Sequence, residues 1–139
     1  YEGQAAVELE MAAYKENLED NQSYPYQLIA EGEMKIVSLG DLLSAIIKEL
    51  SQGVSPGKIS LKFHNTIARM TGEMCRLTAD ETGIDRVALS GGVFQNRLLL
   101  RKTVKLLEDS GFEVFTHRQV PCNDGGISLG QAVIANFAP

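Results

Sequence analysis

The chain has 139 residues, of which 44% are hydrophobic and 22% charged, a balance that suits one globular domain with its own core. Its net charge of −5 argues against a nucleic-acid partner, which asks for a basic stripe. No run of about 18 apolar residues is present to span a membrane, no basic n-region or apolar h-region opens the chain, and the missing initial Met suggests a piece excised from a longer protein.

From the N-terminus, Gln4 to Asn17 is rich in Ala, Glu, Leu and Met, which predicts a helix. Leu9, Ala12 and Ala13 share one side of it, while Glu8, Lys15 and Glu16 lie mostly elsewhere. A polar loop, Glu19 to Pro25, follows. Tyr26 to Ala30 and Lys35 to Ser38 read as two short strands joined through Glu31, Gly32 and Glu33, a hairpin. Leu39 to Leu50 reads as a helix with Asp41 near its first turn, where negative charge is favourable. Gly53 to Gly57 is a break.

A long helix is predicted from Lys58 to Glu81. Its Ile59, Phe63, Ile67, Met70, Met74 and Leu77 recur at spacings of three and four and make one apolar stripe, which reads as core. Cys75 falls on the apolar face and reads as a small core residue. Cys122 is far away in sequence and no C-x-x-C occurs, so reduced thiols in the cytoplasm are expected. With no repeat or linker in sight, residues 1–139 read as a single domain. Strands alternating with helices late in the chain say α/β.

The chemistry is concentrated in the last third. Arg86 to Ser90 is of strand type, runs into Gly91-Gly92, and is followed by an amphipathic helix from Asn96 to Glu108. Gly111 then closes that helix, Phe112 to Phe115 makes another strand, and Pro121-Cys122-Asn123-Asp124-Gly125-Gly126 leads into a terminal helix, Ile127 to Phe137. Glycines let a ligand approach the backbone, and a helix N-terminus favours an anion. Each half has a plain alternative. Gly91-Gly92 is also what a simple strand-to-helix turn needs, Asn96 suits a helix cap, and either Asn123 or Asp124 suits an N-cap. If the strands before the two glycine bends are neighbours, both bends face one cleft beyond the strands' carboxyl ends.

YEGQAAVELE at the start, FHNTIA at Phe63 to Ala68, LSGGVFQNRLL at Leu89 to Leu99 and NDGGISLGQA at Asn123 to Ala132 occur in this order with plausible spacing. Through them nearly the whole chain resembles the C-terminal end of the [NiFe]-hydrogenase maturation carbamoyltransferases, the HypF type. More distantly it is similar to the tRNA-modifying threonylcarbamoyl-adenosine transferases and the antibiotic O-carbamoyltransferases. The resemblance implies an actin/Hsp70-like nucleotide-binding fold and a cytoplasmic transferase. It implies that a separate domain makes carbamoyl-adenylate from carbamoyl phosphate and ATP. The carbamoyl group then passes to the C-terminal cysteine thiolate of a partner maturation protein and becomes a cyanide ligand of the hydrogenase.

Carried over motif by motif, the resemblance puts Gly3 near the nucleotide sugar, with Glu8 as a weaker candidate. It puts Gly91 and Gly92 at the phosphate, Asn96 on the adenosine part and Asp124 on a divalent metal, iron or zinc. The family's metal-binding His-x-x-x-His is absent here, so the other ligands are expected outside this chain. His64 and His117, the only histidines, are read as a hydrogen-bonded structural residue and a solvent-facing residue. Cys122 adjoins the candidate site. No catalytic side chain is expected, because the partner brings the nucleophile, and the isolated chain is expected to be inactive. A tRNA-modifying relative is the second reading, disfavoured by the acidic balance and by Phe94-Gln95 where those enzymes tend to carry small residues. A non-catalytic nucleotide-binding or interaction module is the third.

Overall fold

The computed structural model describes residues 3–32 and 34–137. Tyr1 and Glu2 of the first motif, Glu33 of the expected hairpin turn, and the last two residues lie outside them. The chain divides into two compact units, Tyr1–Met74 and Cys75–Pro139.

The first unit begins with α1 (Gln4–Ala13). It ends four residues short of the predicted Asn17, because Asn17 and Asp20 turn the chain locally. Asn17 Oδ1 accepts from the Glu19 N–H and Asp20 Oδ1 from the Gln22 N–H, the side-chain competition with helix that favours these residues in turns. The expected hairpin forms from β1 (Gln27–Glu31) and β2 (Met34–Ser38), antiparallel, with Gln27 opposite Ser38 and Glu31 opposite Met34. Helix α2 (Gly40–Ser51) follows, and α3 (Pro56–Thr82) is the long helix predicted from the apolar stripe. Tyr24, Leu42 and Ile59 form the core of this unit, with Ala45, Ile46, Val54 and Phe63 packed against it.

The stripe on α3 is not its most buried face, however. Phe63, Ile67, Met70 and Met74 are only half-buried, whereas Ser60, His64, Asn65 and Thr66 are buried. Each of these polar groups is satisfied, as burial requires. Ser60 Oγ donates to Leu9 O on α1. Asn65 Nδ2 donates to Asp20 O and Gln22 O at 2.8 and 2.7 Å. Thr66 Oγ1 accepts from the Tyr24 N–H at 2.8 Å. The polar face of α3 therefore holds α1 and the loop at residues 19–25 by hydrogen bonds. Gly57 lets the backbones close: a Cβ there would sit 2.9 Å from Ala12 O and 2.6 Å from Glu16 Oε1.

The second unit holds the β–bend–α elements. Strands β3 (Arg86–Leu89) and β4 (Glu113–Thr116) are parallel neighbours, with Arg86 opposite Glu113 and Leu89 opposite Thr116. They are joined through α4 (Arg97–Asp109), the helical crossover that a parallel pair requires. Leu98, Leu99 and Leu107 on α4 and Leu89 on β3 are its buried apolar residues. Gly111, at φ 90°, ends the helix in a left-handed turn, and the Phe112 N–H returns to Leu107 O at 3.0 Å, the glycine-closed helix end read from the sequence. Helix α5 spans Ile127–Phe137 as predicted and has no buried residue.

Candidate nucleotide and metal site

The chain leaves β3 through Ser90 and reaches Gly91 at φ 106° and ψ 155°, a conformation that only glycine adopts readily. No heavy atom lies within 4 Å of where its Cβ would be, so the outer side of this bend is open to close approach. The helix does not start at once. A 3-10 turn, Gly92–Gln95, intervenes, a short tightening common at helix starts. Asn96 then caps α4: its Oδ1 accepts from the Leu99 N–H at 2.8 Å. The cap alternative for Asn96 is thus realised, and it occupies the carbonyl end of the amide.

The second bend is built by its own cap. Asn123 Oδ1 accepts from the Gly125 N–H at 3.1 Å, and the Gly126 N–H donates to Asn123 O at 2.9 Å, closing a 3-10 turn over Asp124–Gly126. Gly126 has no substitute here, because a Cβ would come within 2.7 Å of Pro121 O. Of the two cap candidates, Asn123 takes the role. The Asp124 carboxylate, exposed, takes no part in it.

The two bends adjoin. The Gly91 N–H donates to Cys122 O at 2.8 Å, and a Cβ on Gly92 would lie 3.9 Å from Asn123 Cβ. Gly91, Gly92 and Asp124 are therefore gathered beyond the carboxyl end of a parallel strand pair, the place where open α/β sheets bind ligands. Cys122 contributes its backbone carbonyl to this junction, and its thiol is half-buried. The Gly91 N–H, expected to face a phosphate, is already engaged. The donors that the bend itself leaves without an acceptor are those of Gly92 and Val93, at the start of the 3-10 turn.

Sequence reasoning missed one pair at this edge. Ser90 and His117 each follow the last register pair of the two strands, and Ser90 Oγ lies 2.9 Å from His117 Nε2. His117 is exposed, as expected, yet it has a defined partner. Only the parallel register makes these two residues neighbours, and no local pattern announces it.

The remaining candidates lie on other elements. Gly3, at φ 77°, opens α1 in the first unit, and Glu8 is exposed on that helix, accepting from Gln4 Nε2 at 2.7 Å. That is the bond of a solvated helix face. His64 is buried and its Nδ1–H donates to Ser60 O at 2.8 Å, the structural role expected of it. Cys75 is half-buried rather than core, and burial pushes its thiol up. Among the described residues no three His, Cys, Asp or Glu side chains cluster to hold a metal. A lone exposed carboxylate on a hydrogen-bonded turn, free of capping duty, fits one anionic oxygen ligand in a larger set.

A β-strand, a glycine bend and a helix, repeated toward one ledge, are elements of an α/β fold of the actin/Hsp70-like class. Residues 1–131 match the family described as carbamoyltransferase, Kae1-like domain, second subdomain, and the chain belongs to that HypF carbamoyltransferase family. It is similar to the carbamoyltransferase HypF of Synechocystis sp., with 37% identity over 94% of this chain and 16% of the relative. Among solved structures, full-length HypF in the phosphate- and nucleotide-bound form superposes with a TM-score of 0.90 at 46% identity, over 98% of this chain and 17% of that one. HypF of T. kodakarensis superposes with a TM-score of 0.80 at 30% identity, over 99% and 17%. The chain thus spans about one sixth of the length of the relatives it matches.

Proposed function

We propose that this chain is the C-terminal portion of a Kae1-like carbamoyltransferase domain and supplies part of its nucleotide and metal site. The whole protein makes carbamoyl-adenylate from carbamoyl phosphate and ATP. It transfers the carbamoyl group in the cytoplasm to the C-terminal cysteine thiolate of a hydrogenase maturation partner, for cyanide ligand synthesis. The observation that carries this reading is the Gly91 N–H to Cys122 O bond, which joins the two glycine bends into one ledge at the strands' carboxyl ends.

Each residue has a separate task. Gly91 and Gly92 let the phosphate of the adenylate reach the backbone, and the N–H groups at the start of the 3-10 turn bind that leaving group as charge develops on it. Asn96 meets the adenosine part through its amide, which offers both a donor and an acceptor. Gly3 lies by the sugar. Asp124 is one ligand of a divalent metal, iron or zinc, whose remaining ligands lie outside the described residues. Such a metal, when bound, acts as a Lewis acid on the carbamoyl or phosphate oxygen. Phe94 and Gln95, both in the 3-10 turn, border the ledge of the same unit.

The test is metal content and thermal stability of the full-length protein. AMP or ATP should raise the midpoint of the wild type, since a ligand of the native state stabilises it. Asp124→Ala should lose bound metal and keep the unliganded midpoint, because Asn123 holds the cap. Metal content equal to wild type would remove Asp124 from the ligand set, and no nucleotide shift under any metal condition would favour a non-catalytic interaction module.

A further inference from the structure

The ledge offers an anion few backbone donors. With the Gly91 N–H committed to Cys122 O, a phosphate resting at this bend has the Gly92 and Val93 N–H groups, and a side-chain donor beside them would strengthen its binding. Ser90, whose side chain can donate, immediately precedes the bend. Its hydroxyl lies beyond the carboxyl end of β3, 2.9 Å from His117 Nε2 at the same end of β4.

A serine hydroxyl has one hydrogen and two lone pairs. When His117 carries its proton on Nε2, the imidazole donates to Ser90 Oγ, and the hydroxyl hydrogen is left to point elsewhere. The opposite tautomer would spend that hydrogen on the ring. A phosphate oxygen at Gly92 selects the first arrangement, because a hydroxyl that accepts from an imidazole is polarised toward donating to an anion. Both side chains are exposed, so neither is committed to the core, and the side of the bend at Gly91 is open.

We propose that Ser90 is a phosphate-binding residue for the adenylate and that His117 is its positioning residue, fixing the hydroxyl as a donor. The ligand class is a nucleoside monophosphate ester, and the assignment rests on the nucleotide reading above. The Ser90–His117 pair discriminates ligands that carry the phosphate from those that do not.

The experiment is calorimetric titration of the full-length protein with AMP and, separately, with adenosine. Ser90→Ala should weaken AMP by about 10- to 50-fold, the loss of one hydrogen bond to a charged group, and leave adenosine unchanged. Ser90→Thr keeps the hydroxyl and should restore AMP affinity. His117→Ala should weaken AMP by a few fold, and His117→Gln, which retains an N–H donor, should recover most of it. If Ser90→Ala does not fold, the two His117 variants carry the test through the same split between AMP and adenosine. AMP affinity equal to wild type in Ser90→Ala and His117→Ala overturns the assignment. So does an equal loss of AMP and adenosine, which marks a structural role. A wild type that binds neither ligand overturns the nucleotide reading itself, and the assignment with it.

Discussion

On the proposed reading Asn96 has two tasks on one amide, a helix cap and a nucleoside contact, and a conservative substitution separates them. Its Oδ1 caps α4 through the Leu99 N–H, a bond whose loss costs about 1 kcal/mol. Asn96→Ala should therefore lower stability by roughly that amount even if no nucleotide ever touches the residue. Asn96→Asp keeps the capping oxygen and removes the amide donor. It should melt like the wild type and bind adenosine more weakly. Adenosine affinity equal to wild type by calorimetry would leave Asn96 as a cap alone. A cap and a nucleoside contact ask for the same residue type at the same place, so the sequence left both readings open. The structure shows the cap made through the oxygen, at 2.8 Å from the Leu99 nitrogen.

The elements themselves were readable because hydrophobic periodicity and helix punctuation are local. The hairpin, the four longest helices and both strands of the parallel pair fall within a few residues of expectation. What was not readable depends on partners distant in sequence. The polar face of α3 is buried because Leu9, Asp20, Gln22 and Tyr24 bring backbone groups to it, and no window of α3 alone contains that information. Nearby, Tyr26 OH donates to Glu73 Oε2 at 2.7 Å. Burial, and then the Glu73 carboxylate, push Tyr26 up to about 12, from the ordinary value of about 10. The raised value means that the neutral phenol is favoured in the folded state. Its contribution is whole below the unfolded value and is lost as pH rises through the folded one. Tyr26→Phe should lose about 1 kcal/mol near neutrality and show a shallower alkaline decline, read from the midpoint against pH. Parallel curves for the two proteins would mean that the Tyr26–Glu73 bond is not stabilising. At the other end of the pH scale, partial burial pushes Glu49 up, but Lys62 and Tyr24 outweigh it and hold its carboxyl below the usual carboxylate range. Stability from that group is present above its unfolded value and is lost as pH falls through the lowered one.

At the scale of the molecule, the proposed nucleotide ledge rests on adjacency. In the second unit, two bends separated by α4 and β4 in sequence meet through the Gly91–Cys122 bond and the parallel register of β3 and β4. The sequence supplied both bends and the condition under which they face one cleft, and the strand pairing meets that condition. The most direct measurement is a crystal structure of the full-length protein with AMP and its metal. The phosphate should lie within hydrogen-bonding distance of the Gly92 N–H, with the Asp124 carboxylate on the metal. A nucleotide seated away from the Gly91–Gly92 bend, with the ledge left to solvent or filled by side chains, would contradict that placement.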